Sequence, residues 1–180
     1  PSPLSSAVVL PVAEALAEGF TVYALDTPGY GLSDRLAGEP RSLADYRKWA
    51  AVRVEAVNHA LQGIPEEQSR YHLCWGSWNG PHTNDVAIKD IIDLVLKIRV
   101  GGYSLEMANP RHEHEWRVWE KVKLPKGRVL VPGLVSHSTN VVEHPELVAE
   151  RIVRLARLVG RENVIASTDC GFAQSPFTRR

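Results

Sequence analysis

His72 and Cys74 stand two residues apart in the run Tyr71-His72-Leu73-Cys74-Trp75, which reads as a β-strand. Side chains of a strand alternate between faces, so both point to one side. Imidazole and thiolate are both good zinc ligands. Glu106 lies at the end of a second β-rich run, Tyr103-Ser104-Leu105-Glu106-Met107, and Cys170 follows a last one, Val164-Ile165-Ala166. All four occupy equivalent places, the carboxyl ends of strands. A parallel sheet closed into a barrel gathers such ends around its axis. Zinc is the chemistry these residue types suggest. H-x-C taken alone is more often an ordinary core or surface pair, and the added strand-end residues leave the two readings evenly open.

The elements that must position these residues alternate. Ala44 to Leu61 reads as an amphipathic helix with Trp49, Val52, Val54, Val57 and Leu61 apolar, closed by Gly63 and Pro65. The first strand follows, then a polar loop from Gly76 to Thr83. Asp85 to Val100 reads as a helix stopped by Gly101-Gly102, and the Glu106 strand leads into the loop Ala108-Asn109-Pro110-Arg111. His112 to Val122 reads as helical and polar. Arg128 to Pro132 is a third strand, followed by a loop holding Ser136 to Asn140. Pro145 to Leu158 is a helix with Leu147, Ile152, Val153 and Leu155 apolar, and Glu162 to Ser167 is a fourth strand. Strand–helix alternation of this kind implies an α/β fold with a parallel sheet, open or closed.

The first 45 residues differ in character. Ala7 to Ala17 is helical in pattern and ends at Gly19. Phe20 to Leu25 is β-rich, and Asp26-Thr27-Pro28-Gly29-Tyr30-Gly31 is a loop. With Ser33 and Asp34, this piece resembles the early strands of the α/β-hydrolase fold. The parts that make a hydrolase are missing, since no G-x-S-x-G elbow occurs. The nearest string, Gly76-Ser77-Trp78-Asn79-Gly80, has the wrong register.

Residues 46–180 resemble the zinc-binding barrel half of the cobalamin-independent methionine synthase family, on the branch related to epoxyalkane:coenzyme M transferases. The strings that carry the resemblance are His72-Leu73-Cys74-Trp75-Gly76, Tyr103 to Glu106 with Ala108 to Arg111, Pro132-Gly133-Leu134-Val135, Asn140 through Glu146, and Thr168-Asp169-Cys170-Gly171. The resemblance implies part of a (β/α)8 TIM barrel over 46–180, preceded by a hydrolase-type fragment over 1–45. It implies zinc held by His72, Cys74, Glu106 and Cys170, and transfer of a methyl or alkyl group to a small thiol such as homocysteine or a coenzyme M-like compound. Zinc lowers the pKa of a bound thiol, so that it is thiolate at neutral pH. A methyl donor whose leaving atom is nitrogen requires an acid nearby. Asp169 and His137 are the expected proton carriers.

Trp75, Trp78, Asn79 and His82 follow the first ligands and are expected to line a substrate pocket. Asn109 and Arg111 are expected to hold a substrate carboxylate or sulfonate. His112-Glu113-His114-Glu115 looks like a metal cluster, but residues two apart diverge on a helix. It is read as a solvated helix start.

The bulk numbers exclude other classes. The 180 residues carry no net charge, with 44% hydrophobic and 23% charged residues, the balance of a globular protein. Nothing suggests nucleic acid or an anionic membrane as partner. No apolar window is long enough for a membrane span. The start, Pro1-Ser2-Pro3-Leu4, lacks a basic n-region and an initiator Met, so no signal peptide is expected and a fragment of a longer protein is. The two cysteines are expected reduced, in a cytoplasmic protein. Four βα units do not close an eight-stranded barrel, so an unclosed edge prone to self-association is expected. Three functions compete: a zinc-dependent transferase, a remnant that at most binds zinc, and a hydrolase disfavoured by the missing elbow.

Overall fold

The structure, a computed structural model, describes residues 14–19, 42–75, 82–139 and 141–169. The chain divides into two compact units, residues 1–41 and 42–180. In the first, the described residues form one helical turn, with the amides of Ala17 and Gly19 bonded to the carbonyls of Glu14 and Leu16 at 3.2 and 3.1 Å. The rest of the hydrolase-like stretch lies outside the described residues.

The second unit is mixed α/β. Helix α1, Leu43–Ala60, starts on Ser42, whose hydroxyl accepts the amide of Asp45 at 3.1 Å. This cap satisfies one of the amides that a helix start leaves open. Val54, Val57 and Leu61 pack against the core, whereas Val52 is 62% exposed. Strands β1 (Arg70–Leu73), β2 (Gly102–Leu105) and β3 (Val129–Pro132) form a parallel sheet in sequence order, pairing Arg70 with Gly102 and Gly102 with Val129. The expected fourth strand is reduced to two parallel bridges from β3, Leu130 to Val164 and Gly133 to Ser167.

Helix α2, Ile92–Val95, follows a 3-10 turn at Ile88–Asp90; helix α3, Pro145–Val159, follows β3 and ends at Gly160, whose φ of +91° suits glycine. The core lies between sheet and helices: Ile88, Ile92, Val95, Ile98, Val100, Tyr103, Leu105, Leu130 and Leu155 are all buried. Tyr103 is satisfied there through its hydroxyl, which donates to the carbonyl of Ile98 at 2.9 Å. Arg151 of α3 is buried too, and two carboxylates hold it, Glu113 at 2.8 Å and Glu143 at 2.5 Å. The residue also donates to the Leu134 carbonyl at 2.7 Å, so α3 is pinned to the loop leaving β3. Among the described residues no helix is long and apolar enough to cross a membrane.

Three sequence expectations need correction. Asp85 to Val100 is not one helix. Its start is extended because side chains from outside take the backbone groups a helix would use. The Trp75 indole donates to the Val86 carbonyl at 2.7 Å, and Glu115 accepts the Ile88 amide at 2.7 Å. The segment after it keeps a helical pattern, with Lys89, Asp93 and Lys97 exposed and Ile88, Ile91, Ile92, Leu94, Val95 and Ile98 buried, but only its short stretches Ile88–Asp90 and Ile92–Val95 are helical. The second correction concerns residues 112–122. They form a 3-10 helix, Glu113–Glu120, with Val118 and Trp119 buried. His112 is buried rather than solvated, while His114 is exposed, so the two rings do diverge. Third, Leu147 and Val153 of α3 are exposed, since the apolar residues of that helix that reach the core are Leu155 and, in part, Val148, Ile152 and Val159.

Candidate metal centre

Four successive chain segments leave the sheet on the same side and bring polar groups together. The exposure of β1 alternates, with Tyr71 and Leu73 packed on the core, and this places His72 and Cys74 on the opposite face. Glu106 follows β2, His137 lies in the loop after β3, and Asp169 follows the bridge at Ser167. Donor atoms of Cys74, Glu106 and His137 lie within 4.8 Å of one another.

Each buried group is held by named partners. Glu106 is 1% exposed; one of its oxygens accepts the Trp75 amide at 3.0 Å, and the other accepts a short bond from the Asn109 side chain. Asp169 is likewise buried, and its Oδ1 accepts the amides of Met107 and Ala108 at 2.9 and 3.1 Å. Its Oδ2 stands 4.0 Å from His137 Nδ1. Burial pushes the Asp169 carboxyl up to about 6, against the pull of those two amides, and the nearby Glu106 charge adds to the rise. Gly133 makes room for this carboxylate, since a Cβ there would stand 1.8 Å from Asp169 Oδ1. His72 is exposed, with Nδ1 2.9 Å from the Ser104 hydroxyl. A bond to the Cys74 side chain raises its pKa, outweighing partial burial.

This donor set suits zinc: thiol, imidazole and carboxylate are its usual ligands, and two buried carboxylates beside a thiol favour a compensating cation. Of the four ligands expected from sequence, Cys74 and Glu106 are brought together. His72 adjoins Cys74 but is not one of the converging trio, and His137 stands in its place. Cys170 lies outside the described residues, as do Trp78 and Asn79. The other expected pocket residues have structural duties. Asn109 is fully buried, with its amide on Glu106 and its Oδ1 accepting the Arg111 amide at 3.1 Å. Trp75 is engaged through both of its N–H groups.

A second group gathers His82, expected to line a pocket, with His112 and Glu115 of the run read as a solvated helix start. His82 Nδ1 and His112 Nε2 approach the same oxygen of Asp85, at 2.7 and 2.8 Å. His112 Nδ1 faces Glu115 at 3.4 Å, and its ring stacks on Trp75 with centroids 4.7 Å apart. Burial alone would lower the His112 pKa, but the bonds to Glu115 and Asp85 outweigh it and the net shift is upward. The sequence carried a signal for this group in the His112–Glu115 run and in the three-residue spacing of His82 and Asp85.

No protein-family model matches the chain. It is 24% identical over 151 residues to the 2-hydroxypropyl-CoM lyase of Xanthobacter autotrophicus, covering 70% of this chain and 39% of that protein. It is 26% identical over 147 residues to the uncharacterised protein YxjH of Bacillus subtilis, covering 78% of this chain and 36% of that one. The chain therefore spans under two fifths of the length of these curated relatives. These matches give no support to the hydrolase resemblance of residues 1–45. In three dimensions the chain superposes on a B12-independent methionine synthase from Shewanella, solved with selenomethionine, with a TM-score of 0.58 at 19% identity, over 77% of this chain and 41% of that one. The chain thus shares its fold with part of a B12-independent methionine synthase and is distantly similar in sequence to a coenzyme M lyase.

Proposed function

We propose that residues 42–180 are part of a (β/α)8 barrel that binds zinc and transfers a methyl or alkyl group to a small thiol. The observation that carries this is the meeting of Cys74, Glu106 and His137 from the ends of successive parallel strands, with Asp169 buried behind them. Cys74 and Glu106 would hold the ion, joined by His72 and Cys170 as the resemblance implies. Zinc bound there supplies a Lewis acid that keeps an acceptor thiol ionised at neutral pH.

The chain's own residues do the rest. Trp75 and Asn109 fix both oxygens of Glu106, so this carboxylate is aimed before any ligand arrives. His137 holds a proton toward the site, with Asp169 on its Nδ1 side. In the transfer a sulfur–carbon bond forms as the carbon's bond to its nitrogen or oxygen leaving group breaks. His137 then protonates that leaving atom. The acceptor is a homocysteine-like or coenzyme M-like thiol, and the donor a methylated amine cofactor or an epoxide.

Metal analysis of the purified full chain, beside a thiol-alkylation assay with each acceptor, tests this. About one zinc per chain with alkylation supports the proposal. Zinc without alkylation supports the second reading, an inactive remnant that at most binds zinc. Absence of zinc rejects the transferase.

A further inference from the structure

We infer that His112 is a positioning residue for Glu106, locked between Asp85 and Glu115 and acting on both of the groups that hold that carboxylate; this rests on the zinc reading above. The two supports of Glu106 are the Trp75 amide and the Asn109 side chain. His112 touches each. Its ring stacks on the Trp75 indole at an interplanar angle of 23°, and its amide donates to the Asn109 carbonyl at 2.8 Å. One buried residue therefore sets the position of the whole cradle around a carboxylate that itself is 1% exposed.

The ring is fixed in turn. Nε2 meets Asp85 at 2.8 Å and Nδ1 faces Glu115 at 3.4 Å, while the other Glu115 oxygen accepts the Ile88 amide at 2.7 Å. His82 adds a second imidazole to Asp85 at 2.7 Å. The network joins the segment after β1 to the 3-10 helix after β2. These are the segments that carry Cys74 and Glu106. The group is held together by hydrogen bonds that converge on Asp85. The two contacts to Asp85, at 2.7 and 2.8 Å, are of hydrogen-bond length.

The test uses the full chain and the variant His112→Leu. Zinc affinity, measured against a chromophoric chelator, is expected to fall about 10–100-fold, the usual cost of removing support behind a ligand. In metal-free protein, amide exchange followed by NMR is expected to quicken at least about tenfold at Trp75. The amides of Gly133 and Ile165, which bond across the sheet to Leu105 and Leu130, keep their protection. Should His112→Leu fail to fold, Glu115→Gln keeps an acceptor for Ile88 and gives the same two readouts at smaller size. Unchanged exchange at Trp75 overturns the inference whatever zinc does. So does a second zinc per chain that His112→Leu abolishes, because the group would then be a metal site itself. Absence of zinc from the wild type sinks the proposed function alone, and Trp75 exchange still decides this one.

Discussion

The two histidine–carboxylate groups in this molecule use the same residue types to opposite ends. At the sheet's carboxyl edge, Glu106, Asp169 and the Cys74 thiol face His137, and burial holds the Asp169 carboxyl up near pH 6. Around Asp85, two imidazoles share one oxygen at 2.7 and 2.8 Å, and Glu115 completes the balance. The first group is an excess of negative donors looking for a cation. The second is a hydrogen-bonded cluster centred on Asp85, and it holds His112 in place. Metal-site reasoning from residue type alone would not tell them apart; distances and burial do.

The comparison breaks most sharply at Gly133. Gly133→Ala drives a methyl into Asp169 Oδ1, and overpacking of this kind costs about 3 kcal/mol. Chemical denaturation should show that loss, together with loss of zinc binding. Equal stability of variant and wild type would mean the carboxylate is not packed as described. The two groups should also titrate in separate windows. Asp169 has a raised pKa, so the folded chain binds the proton more tightly than the unfolded one does. Stability of the metal-free protein should therefore fall as pH rises from about 4 to about 6, by up to about 3 kcal/mol. Asp169→Asn, or saturating zinc, should flatten that window in urea melts across pH.

His112 is raised from the histidine range, so its contribution is complete below about pH 6.5 and is lost as pH climbs through its folded value. His112→Leu should remove only this upper window, and Asp169→Asn only the lower. A single variant that erased both would show the groups to be one network. The smallest effect is expected at Asp85→Asn, which keeps one acceptor but loses the charge. It should cost about 1–2 kcal/mol and leave the zinc stoichiometry unchanged.

Much of this was legible in the sequence. Alternation of β-rich and helical stretches located the three strands of the described residues to within a residue or two, because each is short and bounded by glycine or polar loops. The strand-end positions of Cys74 and Glu106 left the question even, and the family resemblance tipped it toward their meeting. What was hidden depends on contacts from far along the chain. The break at residues 85–87 is made by Trp75 and Glu115, not by any local breaker. His112 is buried because Asp85 and Trp75 close over it, which the polar string around it conceals. His137 sits in an irregular loop, where no periodicity says which way a side chain turns. Asn109 has the look of a substrate contact but spends its amide on Glu106.

The proposed function stands on Cys74 and its buried neighbours holding one zinc ion. The direct measurement is zinc content and affinity of the full chain compared with Cys74→Ser. About one ion per chain in the wild type, with affinity lower by on the order of 10³-fold in the variant, is the predicted result. A wild type that takes up no zinc, or a Cys74→Ser protein that binds it equally well, would contradict the account.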